Sequence, residues 1–299
     1  MSNADYISRG TGTFCTVAQL AASIGPLDTT ASLTGLQSVG PGDRTTGMAV
    51  LIGNEVTKLT SWSDTSIVMS RGCADTIPAS HPAGTLVWFI GSSVGTDGRE
   101  YLAAETIGVK VQAKTTSRSV PVEYVPPIAI TFDSRFIRPY PPAGLKGNGV
   151  AWFNVQTLTA AAPNLVLTWA HRNRVTQMDV LLSHGEAGVT PEAGTTYRVR
   201  FFTPGNTLVG TITGITGTTY TITRDAMIFL YNLALVAGTG NYAAYALLDS
   251  QRDGYSSLQP YRIDFLVDTT GVTSLTARAL EDGTLRVLED GATIRTLET

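Results

Sequence analysis

Cysteine and histidine are scarce in this 299-residue sequence, and their scarcity excludes several kinds of site. Two cysteines, Cys15 and Cys73, cannot make a disulfide framework, so we expect two separate buried or half-buried thiols. The three histidines, His81, His171 and His184, stand in no spacing typical of a metal site. We therefore predict no metal and no cofactor, and turn or surface positions for the histidines.

Charge and long apolar segments are also sparse. Only 15% of residues are charged, the net charge is -3, and no long run carries one sign, so nothing favours nucleic-acid binding. The longest apolar window, 226–237, is too short to span a bilayer, and the first residues do not resemble a secretory signal. We expect a soluble protein made in a reducing compartment, with no membrane insertion.

Threonine is abundant, and it decides the expected fold class. The chain has 43 threonines, 30 glycines and 14 prolines, a composition typical of short strands joined by turns. Apolar residues make up 43% of the chain, enough for a real core. The sequence therefore predicts a mainly β protein.

The first half is predicted to hold a β module over residues 46–137, preceded by an N-terminal arm or connector over residues 1–45. The connector is rich in Ser, Thr, Gly and Pro, with at most a helical turn or two near residues 17–24. Within the module, residues 48–56 predict a strand that reaches a Gly53-Asn54 hairpin turn.

A proline cluster separates this module from a second one, and we place the boundary at 138–146. The second module, residues 138–268, is predicted to be a two-sheet sandwich of short strands. Tyr197 and its alternate neighbours should face inward, and residues 261–267 should form the closing edge strand. Residues 225–248 are ambiguous, and a short helix fits their composition.

The C-terminal segment, residues 269–299, carries the only repeat we find, an Arg-x-Leu-Glu unit. It occurs at 278–281, 286–289 and 295–298, with Asp-Gly turns between the units. We expect three short strands whose Arg and Glu side chains pair across the hairpins. Such strands bury too little alone, so they should pack on the sandwich or on sister subunits.

Enzyme motifs are not evident. Gly91-Ser-Ser-Val-Gly95 fits the G-x-S-x-G spacing, but in its open polar context we interpret it as the turn after a strand and not as a nucleophile turn. The other glycine-rich stretches lack the strand and helix that flank a phosphate loop. The carboxylate pairs lack the alternating spacing of a calcium loop. We therefore expect no enzymatic activity.

A basic cluster follows Trp169, and it has two interpretations. Arg172 and Arg174 could dock an acidic partner or a sugar at the loop end of the sandwich. The alternative, which we favour, is that they pair with nearby acids such as Glu192 or Asp253.

Two sets of residues resemble the C-terminal region of tail hub proteins from siphophages and gene transfer agents. The first set resembles the β module of those proteins and consists of Val50-Leu-Ile-Gly-Asn-Glu-Val56, Arg71-Gly-Cys-Ala-Asp-Thr76 and His81-Pro-Ala-Gly84 with the following Val-Trp-Phe strand. The second resembles their fibronectin-III-like module and consists of Leu167-Thr-Trp-Ala-His-Arg-Asn-Arg174, Pro191-Glu-Ala-Gly-Thr-Thr-Tyr-Arg-Val199 and Gln251-Arg-Asp-Gly-Tyr-Ser-Ser257. The order of the motifs is the same as in that family.

The sequence departs from the family in three places. The large upstream hub portion has no counterpart, Asn54 stands where the family often has Asp, and Arg71-Gly-Cys lacks the usual second arginine. The resemblance implies a virion structural protein of the tail tip or baseplate, assembled in the host cytoplasm, with no catalytic residues to carry over.

The expected partners are other virion tail proteins, namely a hub, tube or fibre, and further copies of the chain. The predicted partner-contact residues are Arg172, Arg174, Arg278, Glu281, Arg286, Glu289 and Arg295. The alternative function is a receptor-binding adhesin for a host glycan, with Tyr242, Tyr245 and Tyr255 as candidates for stacking on sugar rings. Burial in the core is the more expected role for most of these tyrosines.

Overall fold

The computed structural model divides the chain into two units, and its architecture is mainly β, as predicted. The residues that it describes are 6–10, 12, 14–40, 42–90, 98–177, 180–186, 189–231, 233 and 240–270, with the backbone of 278–279 and 285–286. The first unit consists of 1–141, 172–186 and 251–259. The second unit consists of 142–171, 187–250 and 260–299.

A closed six-stranded barrel forms the centre of the first unit. Its strands are β1 (Thr16–Leu20), β2 (Thr30–Gln37), β3 (Ala49–Ile52), β4 (Glu55–Trp62), β5 (Ser66–Ser70) and β6 (Leu86–Phe89). They pair in the order β1-β2-β5-β4-β3-β6, and β6 returns to β1. Every pairing is antiparallel.

Side chains alternate along the barrel strands, and the buried ones form an apolar core inside the barrel. The core side chains are Ala18, Leu20, Ile24, Ala31, Leu33, Val50, Ile52, Leu59, Ile67, Met69, Val87 and Phe89. The hairpin predicted at Gly53-Asn54 joins β3 to β4, and Gly53 has φ +56°, which only glycine adopts at little cost.

Two predictions for the N-terminal region are wrong. Residues 1–45 are not simply an arm or connector, because β1 and β2 are barrel strands. The helical turn expected near residues 17–24 is not formed, since residues 17–20 belong to strand β1. The segment of β2 was interpreted as a connector because it is rich in Ser, Thr and Gly, although threonine also favours strands. Its apolar side chains are few: Ala31 and Leu33 are buried in the core, and Leu36 packs against it.

A separate hairpin and two short 3-10 turns follow the barrel in the first unit. The hairpin pairs β7 (Thr106–Val109) with β8 (Ile128–Thr131), and the 3-10 turns cover Val122–Tyr124 and Arg135–Ile137. The predicted module 46–137 therefore contains four barrel strands and this outlying hairpin.

Two facing sheets make up the second unit. The first, in the order β10-β9-β12-β15, contains β9 (Ala143–Gly147), β10 (Val150–Ala151), β12 (Asn164–Ala170) and β15 (Thr219–Thr223). The second, in the order β11-β18-β16-β13-β14, contains β11 (Gln156–Leu158), β13 (Thr196–Phe202), β14 (Leu208–Ile215), β16 (Asn241–Arg252) and β18 (Tyr261–Asp268). This is the predicted fibronectin-III-like sandwich.

Aromatic side chains hold the two sheets together. Trp169 of β12 packs edge-on against Tyr197 of β13 at 5.3 Å between ring centroids, and both are buried. Arg198 and Arg200 lie on the other face of β13, as the alternation predicted, and both donate to the buried Asp249 of β16. The expectation that residues 261–267 form an edge strand is wrong, because β11 pairs in parallel on the far side of β18.

The remaining elements are short. They are β17 (Tyr255–Ser256), which pairs with the end of β16, and the helices α1 (Arg174–Gln177) and α2 (Arg224–Leu230). The ambiguous segment 225–248 thus contains most of helix α2, capped by the Thr223 hydroxyl, and the start of β16. No helix among the described residues is long and apolar enough to cross a membrane.

Only two short strands of the C-terminal repeat are described, β19 (Arg278–Ala279) and β20 (Leu285–Arg286). They pair antiparallel, with Arg278 opposite Arg286. The glutamates of the repeat, Glu281 and Glu289, lie outside the described residues, so the predicted pairing of Arg with Glu across the hairpins stays a prediction.

Candidate functional site

A buried ion pair with a histidine lies where β4 begins and β5 ends. Glu55 starts β4, Arg71 directly follows β5, and each is only 2% exposed. Arg71 Nε and Nη2 donate to the two Glu55 carboxylate oxygens, both at 2.8 Å. His81 Nε2 lies 2.8 Å from Glu55 Oε2. We call these three residues the Glu55 cluster.

All five guanidinium N–H groups of Arg71 have acceptors. Besides Glu55, Nη1 donates to the carbonyl oxygens of Gly25 and Asp28, and Nη2 donates to the Ala79 carbonyl. The Ala79 N–H in turn donates to Glu55. The cluster therefore joins loops that are far apart in sequence, and it uses the full donor capacity of arginine.

The charge of Glu55 is compensated inside the barrel unit. Burial raises the pKa of Glu55, but hydrogen bonds from Arg71 and His81 outweigh burial and hold that pKa below its ordinary value. The carboxylate is ionised at neutral pH, and its charge is matched by Arg71. A buried pair with satisfied polar atoms suits the fixing of loops better than the binding of a substrate.

Gly72 completes the cluster through its backbone. Its N–H donates to Glu55 Oε1 at 2.8 Å, and its φ is +58°. A Cβ placed on Gly72 would lie 2.5 Å from Cδ of Pro78. Glycine is thus required here both by conformation and by space.

All three members of the Glu55 cluster belong to the motifs that resemble tail hub proteins, but the sequence did not predict that they meet. His81 is 8% exposed and bound to Glu55, which corrects the expected turn or surface histidine. The signal that could have found the cluster is the set of charged residues beside apolar strands, since a buried charge needs a partner.

Cys73, next to Gly72, gives a testable contrast with Cys15. Both are free thiols, Cys73 fully buried and Cys15 partly exposed. Burial raises the pKa of Cys73 to about 11, so its thiolate is rare at pH 8. We expect iodoacetamide to alkylate Cys15 and to spare Cys73 in the folded chain, as measured by peptide mass spectrometry. Equal labelling without denaturant would contradict the structure.

His184 should make the first unit sensitive to mild acid. Its backbone N–H donates to the Arg71 carbonyl, and burial lowers its pKa to about 4. The unfolded chain binds a proton near pH 6.5 and the folded chain does not, so stability is lost as pH falls from 6.5 toward 4. We expect a loss of about 1–2 kcal/mol between pH 7 and pH 5, measured by urea unfolding.

A His184→Gln variant should show a flatter dependence of stability on pH over the same range. His171→Gln is the matched control, because His171 lies in the sandwich, where burial also lowers its pKa. If the control flattens the unfolding of the first unit as much as His184→Gln does, His184 is not the cause.

Arg172 is enclosed in the first unit, which corrects its predicted role as a surface contact. It is 4% exposed, and its guanidinium donates to the carbonyl oxygens of Gly72 and Leu182. These two bonds go to backbone groups rather than to the expected acids, Glu192 or Asp253.

Arg174 lies at the rim of a pocket of about 360 Å³ in the first unit. The pocket is lined by Asp75, Arg135, Phe136, Tyr140, Arg174 and Val175. Arg174 Nη1 donates to the Phe136 carbonyl at 2.9 Å. Arg135 donates to both carboxylate oxygens of Asp75 through Nε and Nη2. The sequence predicted a contact role for Arg174 but not for the other five, which come from position 75, from 135–140 and from the position next to Arg174.

The other predicted contact residues belong to the C-terminal repeat, of which the structure describes little. Arg278 and Arg286 are described only by their backbone, and Glu281, Glu289 and Arg295 lie outside the described residues. Their contact with a partner stays a prediction.

The tyrosines proposed for sugar stacking are mostly enclosed. Tyr245 is 6% exposed, with its ring stacked on Phe202 at 5.0 Å and Arg262 over it at 3.9 Å. Tyr242 is half-buried with its ring 5.3 Å from Tyr231, and Tyr255 is also half-buried. Burial, the more expected role, is what the structure shows for Tyr245.

No group of three or more His, Cys, Asp or Glu residues in the described part of the chain could hold a metal ion. No protein-family model matches the chain, and neither does any curated protein. Among solved structures, the chain is similar to the crystal structure of chicken CNTN1 FN1-FN3 domains, at 11% identity and a TM-score of 0.24. That match covers 90% of this chain and 72% of the other. The architecture stated above rests on the observed strand order and not on this match.

Proposed function

We propose that the chain is a structural component of a tailed-phage virion, in the tail tip or baseplate, where it links a hub or tube to peripheral fibres. The observation that carries the proposal is the Glu55 cluster. In the motifs that resemble tail hub proteins, the polar atoms of these residues form hydrogen bonds that fix loops to the barrel. Such a motif serves architecture, which is what a virion part needs.

The test is to look for the chain in particles. We expect peptides of the chain in gradient-purified virions from the host that produces it, and gold-labelled antibody at the end of the tail away from the capsid. An antibody that has been absorbed with the purified chain is the control. Absence from purified particles, or label on the capsid alone, would overturn the proposal.

We also propose that the chain has no enzymatic activity. The clearest candidate for chemistry, Glu55 with His81, is buried and fully paired with Arg71. A zymogram containing host peptidoglycan should show no clearing by the refolded chain, beside lysozyme as a positive control. A cleared band at the mass of the chain would overturn this part of the proposal.

The second candidate function is a receptor-binding adhesin for a host glycan, favoured by the pocket beside Arg174 and Phe136. Whole-cell binding by the purified chain separates it from a purely internal virion part.

A further inference from the structure

We infer that the pocket lined by Phe136 binds a saccharide that carries a carboxylate, such as a uronic or sialic acid. We call it the Phe136 pocket. The inference deepens the adhesin alternative and does not require that the chain belong to a virion. The Phe136 pocket lies within the first unit, and its volume of about 360 Å³ is at the small end of the range for ligand sites.

The charges at the Phe136 pocket favour a monoanion. Two guanidinium groups, Arg135 and Arg174, line it against one carboxylate, Asp75. The Asp75 side chain is nearly buried and is held by Arg135, whose own side chain is 53% exposed. One net positive charge matches a carboxylate better than a phosphate dianion, and the planar fork of arginine suits a carboxylate.

Two polar groups remain open to a ligand. In the part of the chain that the structure describes, Arg135 Nη1 and the Tyr140 hydroxyl make no hydrogen bond. Burial raises the pKa of Tyr140, so its hydroxyl keeps its proton and can both donate and accept. A sugar offers hydroxyls for such a group, whereas a simple anion uses only the donors.

Apolar surface lies beside these polar groups. Phe136 is 73% exposed and Val175 is 56% exposed, and both line the Phe136 pocket. The Phe136 side chain is thus available to pack on the C–H face of a pyranose ring, while the guanidiniums take its carboxylate. An exposed aromatic ring beside two arginines distinguishes this site from one that binds anions in general.

The test measures binding of sialyllactose and of a glucuronate-containing disaccharide to the full chain by ligand-detected NMR and calorimetry. Lactose, inorganic phosphate and an aspartate-containing peptide are the comparison ligands. We expect saturable binding of one or both acidic sugars below about 10 mM, and at least about tenfold weaker binding of each comparison ligand.

Variants locate the site. Phe136→Ala should weaken the acidic sugar about tenfold, and Arg135→Gln should abolish the preference over lactose. Tyr124→Ala is the matched control, because Tyr124 is 76% exposed and lies outside the Phe136 pocket. Far-ultraviolet circular dichroism and urea unfolding confirm that each variant is folded.

Four results would overturn the inference. The first is no saturable binding of either acidic sugar, and the second is binding of lactose that is as tight as that of the acidic sugar. The third is binding of phosphate or of the peptide as tight as that of the acidic sugar, and the fourth is a loss of binding in Tyr124→Ala equal to that in Phe136→Ala. Each leaves the virion proposal standing, since that proposal is tested on particles.

Discussion

Glu55→Gln is expected to lower the free energy of unfolding of the first unit by about 3–5 kcal/mol. The substitution removes the negative charge but leaves the Arg71 guanidinium buried, and an uncompensated buried charge is costly. Urea unfolding gives the total effect. Hydrogen exchange of peptides from β4 and β5 assigns it to the barrel.

Glu186→Gln is the matched control for this substitution. Glu186 also belongs to the first unit, but its pair with Lys58 spans 3.9 Å and its side chain is 46% exposed. We expect a loss of at most about 1 kcal/mol there. A double variant with Arg71→Met should lose less than the sum of the two single variants. Equal losses at Glu55 and Glu186 would show that the Glu55 cluster does not hold the barrel loops.

Gly72→Ala is expected to destabilise the first unit by about 3 kcal/mol or more. Positive φ accounts for about 1–2 kcal/mol with any L side chain. The rest comes from the methyl group, which would lie 2.5 Å from Cδ and 2.9 Å from N of Pro78. Neither atom belongs to a flexible side chain, so the loop has to move and the bond from Gly72 N–H to Glu55 weakens.

Gly35→Ala isolates the steric part of this effect. Gly35 has nearly the same conformation, φ +64°, but a Cβ there would meet nothing within 4 Å. It should cost about 1–2 kcal/mol, measured by the same unfolding and exchange experiments. If the two variants are equally destabilised, the contact with Pro78 is not restrictive.

Most strands were predictable because apolar and polar residues alternate within each short segment of sequence. The alternation of Tyr197, Val199 and Phe201 predicts the buried face of β13 from five residues alone. The Gly53-Asn54 dipeptide likewise predicts its hairpin from local sequence. Strand β2 was not predictable in this way, since only two of its eight residues are buried apolar side chains. Its place depends on pairing with β1 and β5, which no local pattern encodes.

The candidate sites were less predictable than the fold. Glu55 begins strand β4, Arg71 directly follows β5, and His81 lies in the segment between β5 and β6. Their approach depends on the pairing of β4 with β5 and on the path of that later segment, which no local pattern encodes. Arg172 looked like a surface residue because it follows a strand in a basic run. Its burial depends on Gly72, a hundred positions earlier in the chain.

The first unit is built from three separate segments of the chain, and this affects its folding during synthesis. Its last barrel strand ends at Phe89, yet Arg172–Glu186 and Gln251–Gln259 also belong to it. The Ile77 N–H donates a hydrogen bond to the side-chain oxygen of Gln259. At ordinary elongation rates that residue leaves the ribosome roughly 10–30 s after the barrel strands do. A nascent barrel therefore lacks this loop contact until residue 259 has been translated, and we expect its need for chaperones to be greatest in that interval.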